Sequence, residues 1–357
     1  MSTVNRQTQG GTIIDKNVAT EPSTTPTGPR NWATDLLRHR SVQLAIALWA
    51  GAVVAVFLIA HGSLPFSRPS LTGDPVVGPL LLLHAELLEQ LGLIALTVFL
   101  TRKRRIPDMA SRAAAASVSR REVLGMVAYA VGAQALGYAL GRALGYYPIS
   151  LHLPEIYRGL TPSAVFWWAG YNFVAYACLP YVFFRSRGYS NEALNLKSSD
   201  FWADVRLIAI ILVIESAIQL ALSHSIFSLT GHQLLLGIPA TFVIYFVGTC
   251  LPVMVFIYAI LLPRYLRLTG SVVATVILGG VTYAALHVFD AWGAFNSPTN
   301  WVLTLIFVGF QYFGPGMVKS TLTVRTGNAW VHVWAYHAFA PHVWFDTPVI
   351  VNALNIH

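Results

Sequence analysis

Continuous apolar blocks of about 20 residues decide what this chain can fold into. A helix rises about 1.5 Å per residue, so each block matches a hydrocarbon core of roughly 30 Å. They fall at about 41–62, 76–101, 122–145, 163–185, 203–225, 233–262, 270–290, 300–323 and 327–345. Inside a bilayer the backbone must satisfy its own hydrogen bonds, which leaves helices and closed barrels. Barrel strands alternate apolar and polar residues, whereas these runs are unbroken. The expected fold is therefore all-α, a polytopic transmembrane helix bundle of about nine crossings. Charged residues make up 11% of the chain, against roughly 25% in a soluble domain.

The net charge of +8 is an orientation signal. Lys and Arg gather in 1–40, 102–121, 185–206, 264–267 and 319–325, and only Arg68, Arg142 and Arg158 fall in the intervening loops. Cytoplasmic loops carry such an excess, so the N-terminus is expected inside and the C-terminus outside. The same alternation makes 233–262 one long crossing, bent near Pro252. Nucleic acid is not an expected partner; anionic lipid head groups are. The expected location is the cell membrane.

Residues 1–40 read as a cytoplasmic tail, disordered where Ser, Thr, Pro and Gly dominate, and not as a cleavable signal peptide. A three-helix membrane portion follows over 41–145, then a membrane core over 146–357. Gly137, Gly141 and Gly145 form a small-residue stripe suited to close helix packing. Trp202, Trp292, Trp301, Trp330 and Trp344 fall at crossing ends, where indoles anchor at the interface.

Ionisable groups at membrane depth are costly and mark candidate sites. Glu86 and Glu89 lie midway along the second crossing with His84 nearby, Glu215 lies in the middle of the fifth, and His287 and Asp290 lie high in the seventh. His332, His337 and His342 climb the ninth. In a regular helix, steps of five residues turn each by about 140°, so these three histidines are not expected to line one face. No HExxH occurs and no Cys or His pair has zinc spacing, so neither metal nor cofactor is expected. Cys178 and Cys250 sit in apolar runs and imply no disulfide.

The last 110 residues resemble the CAAX prenyl protease and bacteriocin-processing family (CPBP, or Abi), which are polytopic intramembrane endopeptidases. The family signature is Glu-Glu-x-x-x-Arg, then Phe-x-x-x-His, then His-x-x-x-Asn/Asp, on successive helices. LLPRYLRLTGSVVATVILGGVTYAALHVFD is similar to the stretch through the second motif, with Tyr283 at the aromatic and His287 at the histidine. GFQYFGPGMVKSTLTVRTGNAW resembles the glycine-bearing helix and its Thr-Gly-x-x-Trp turn, matched by Thr326, Gly327 and Trp330. His337 stands near the third histidine, with Pro341 where Asn or Asp would follow it, and His342 is the substitute. The paired glutamates should fall at about Val253 and Met254, and the arginine at Tyr258; the first motif is degenerate.

The resemblance implies a catalytic acid that is missing here, and three readings follow. One is a non-catalytic relative that binds a membrane segment, a lipid or a partner membrane protein in its bundle. A second is an active endopeptidase in which His287 and His337 work with a relocated acid, Glu215, while Tyr283, His342, Glu86 and Glu89 line the site. A third is a small transporter or proton-relay protein.

Overall fold

The computed structural model describes residues 32–60, 62–71, 76–143, 151, 160–222, 225–290 and 292–357. Among these residues all regular structure is helical. The chain divides into two compact units, Met1–His39 and Arg40–His357. Of the expected tail, 1–31 lies outside the described residues; α1 (Trp32–Arg38) is the described part of the first unit.

In the second unit, six helices are long and apolar enough to cross a membrane. They are α2 (Arg40–Ile59), α3 (Val77–Leu100), α4 (Ala116–Ala143), α6 (Phe201–Leu222), α7 (Gly231–Thr269) and α9 (Pro298–Thr326). Three further segments complete the bundle. The rod α5 spans 162–186, α8 is Val272–Ala285, and the ninth apolar block divides into α10 (330–337) and α11 (Ala340–Ala353). The expected single crossing at 327–345 is thus a broken one, interrupted at Ala338 and Phe339. The seventh block forms a helix of only 14 residues, about 21 Å long, and His287 lies in the turns beyond its end.

Local chemistry explains these boundaries. The α7–α8 connection takes two residues: Gly270 adopts the left-handed cap at φ 61°, and the Ser271 hydroxyl accepts from Ala274 N at 3.2 Å. Ser297 caps α9 ahead of Pro298, and Gly327 closes it at φ 64°. Segment 233–262 lies within the single uninterrupted helix α7. Its winding is irregular, with π-helical segments at Phe246–Cys250 and Met254–Leu261. Others lie at Phe173–Cys178 and Val333–His337. Each ends two to four residues before a proline: Pro252, Pro263, Pro180 and Pro341. Proline removes a donor and crowds the carbonyl of the preceding turn, and a π turn absorbs the mismatch without leaving the backbone unsatisfied.

The basic loops meet at one end of the bundle. Arg104 pairs with Asp204 at 2.5 Å, and Arg264 with Glu122 at 2.8 Å. Arg112 donates to Asn195 Oδ1 and to Gly327 O, both at 2.7 Å, and Arg325 donates to Thr101 Oγ1 and O. Burial draws the Arg112 guanidinium below its ordinary range.

Two sequence expectations change. Lys319, grouped with the loop cations, stands inside α9 and is 1% exposed. Trp292 is buried against Phe66, with ring centroids 5.2 Å apart, so it packs rather than anchors. Among the glycine stripe, Gly137 and Gly141 are buried and Gly145 lies outside the described residues.

Candidate functional site

A close backbone approach of two helices builds the site. A Cβ on Gly280 would lie 2.8 Å from Phe313 O, and one on Gly316 would lie 2.8 Å from Gly280 Cα and 2.7 Å from Tyr283 Cβ. Small residues let α8 and α9 close to backbone contact. That contact fixes Tyr283 and Lys319, whose Nζ sits 3.6 Å from the Tyr283 ring centroid and 5.4 Å from that of Tyr336.

Around Tyr283 the histidines converge. Its hydroxyl lies 3.4 Å from His337 Nε2, and its carbonyl accepts from His287 Nδ1 at 2.7 Å. The His287 ring stacks on Tyr312, centroids 4.0 Å apart, and Tyr312 donates to Asp290. His332, His337 and His342 form a staircase with centroid steps of 6.1 and 5.1 Å. In a regular helix the three would not share a face, but this segment is not regular. The backbone through Val333–His337 is π-helical, so residues five apart fall nearly one above another. The break at Ala338 and Phe339 then turns His342 in.

His342 has a partner that the sequence reading overlooked. Asp346, one turn on and fully buried, lies 2.9 Å from His342 Nδ1. The signal was present as His-x-x-x-Asp at 342–346, the spacing of the third family motif. Cys250, read only as an apolar thiol, also joins the group. One ligand atom from each of Cys250, His337 and His342 lies within 4.8 Å of the other two. The positions expected for the first motif carry no charge. Val253 and Met254 are buried core residues, and the Tyr258 ring packs 4.2 Å from that of His332.

The glutamates gather on α3 and α6, with Lys319 in electrostatic reach of Glu215. Glu89 and Glu215 lie close together, Glu215 Oε1 accepts from Gln219 at 2.8 Å, and Glu86 accepts from Gln311 at 3.1 Å. His84, near them in sequence, receives Trp49 Nε1 at 3.1 Å. The structure therefore joins Tyr283, His287, His337 and His342, and sets Glu86, Glu89 and Glu215 together beside α3. No protein-family profile, curated protein or solved structure matches this chain.

Proposed function

We propose that this chain is a multi-pass membrane protein of CPBP-like arrangement that binds a ligand in its imidazole chamber and does not hydrolyse peptide bonds. In this reading the bundle makes nine crossings in the cell membrane, with the N-terminus in the cytoplasm. One observation carries the proposal: Tyr283, His287, His337 and the His342–Asp346 pair cluster together, while the first-motif positions hold Val253, Met254 and Tyr258. Glutamate-assisted hydrolysis needs a carboxylate within hydrogen-bond reach of the attacking water. Glu215 bonds to Gln219 and faces Glu89 instead.

The test is cleavage of prenylated and membrane-embedded reporter peptides by the detergent-purified protein. We expect no turnover above that of His287→Ala or His337→Ala. Wild-type cleavage abolished in both variants would overturn the proposal and establish the endopeptidase reading.

A second reading, proton transfer through the bundle, is favoured by the facing carboxyls of Glu89 and Glu215. It predicts proton flux in liposomes that falls in Glu89→Gln and Glu215→Gln. Equal flux in both variants removes it.

A further inference from the structure

We propose that Cys250, His337 and His342 bind a single thiophilic d10 metal ion, copper(I) or zinc(II). This rests on the chamber being a binding site and names the class of its ligand.

The donors come from separate helices, so no local spacing announces them, but folding brings one ligand atom of each within 4.8 Å of the others. An ion at the centre of such a triangle needs only a small contraction to reach ordinary bond lengths of roughly 2.0–2.3 Å. One thiolate with two imidazoles is a borderline-soft set that suits these two ions and disfavours magnesium or calcium.

Two independent features point the same way. His337 is 0% exposed, and its Nδ1 has no hydrogen-bond partner. Burial makes such an atom costly unless something binds it. The other ring nitrogen, Nε2, is occupied by Tyr283. On His342, Asp346 holds Nδ1 and thereby presents Nε2 as the ligating atom. A carboxylate behind a histidine is the usual outer support of a metal ligand. Cys250 and His337 each end a π-helical segment, a distortion frequent at functional sites.

A nucleophilic role for Cys250 fits less well, because the thiol is 0% exposed and a substrate must reach it. A metal can instead enter while the bundle assembles. Charge ranks the two ions: copper(I) with one thiolate is neutral, and three donors complete its shell. Zinc would need a fourth donor beyond these three.

The experiment is metal analysis of the full-length protein, purified in detergent under reducing conditions from cells supplied with copper or with zinc. We expect close to one ion per chain, reduced at least tenfold in Cys250→Ser and His342→Ala and unchanged in Glu215→Gln. Asp346→Asn should weaken affinity about 10–100-fold. Cobalt(II) loading should give a thiolate-to-metal charge-transfer band that is absent in Cys250→Ser. That conservative variant is checked for an unchanged elution profile. Metal content no higher than in folded Cys250→Ser would overturn the proposal, as would content unaffected by His337→Ala and His342→Ala. Failure here is separable from failure of the non-hydrolytic reading: reporter cleavage that persists in metal-free Cys250→Ser removes that reading alone.

Discussion

Single side chains at the basic end of the bundle carry large energies because water does not reach them. Arg264 is fully buried, gripped by Glu122 at 2.8 Å and by Ile260 O at 2.6 Å, between the rings of Phe184 and Tyr189. Removing one partner of a buried pair strands the other, at a cost of about 3–5 kcal/mol. Glu122→Ala should therefore lower stability by that amount in detergent unfolding, whereas a loss under about 1 kcal/mol would mark the pair as solvent-screened. Residues of this kind were partly legible in the sequence. Tyr283, His287 and His337 stood out because polar groups are rare in apolar runs. Lys319 did not, because counting charges by range assigns a residue to a loop without asking which way it faces. Asp346 was not legible because its partner is His342, which reaches the site only through the break at Ala338 and Phe339.

At the level of helices, long elements were legible in the apolar blocks and irregular ones were not. A regular 3.6-residue period cannot place His332, His337 and His342 together; the π winding and the break at Ala338 and Phe339 do so. The prolines were the available clue, since each π segment ends just before one. The α8–α9 contact makes a sharper demand. Gly280 and Gly316 meet with no room for a side chain, while Gly309, on the same helix, has nothing within 4 Å of a built Cβ. Gly316→Leu should cost about 1–3 kcal/mol or more by overpacking and displace Tyr283 from Lys319. Gly309→Ala should be neutral or slightly stabilising. Thermal melts of the two variants side by side check this, and equal melting would mean the helices do not pack so closely.

For the molecule as a whole, the alternation of basic loops finds a geometric counterpart: residues 101–122, 185–204, 264 and 325–328 share one end through the contacts of Arg104, Arg112, Arg264 and Arg325. In a Cys178→Ala background, single cysteines at Ser111 and Glu192 should react with a membrane-impermeant thiol reagent only from the cytoplasmic face, and one at Ser63 only from the opposite face. Labelling of Ser111 and Ser63 positions from one side would refute the topology. The clasps made by Arg104 and Arg325 carry a mechanical consequence. The exposed peptide bond between Arg105 and Ile106 lies beyond both Thr101 and Arg104, so a protease nick there would sever the chain without releasing either half. The two fragments should travel as one particle through a sizing column, much as a split gene product reassembles from separately made parts.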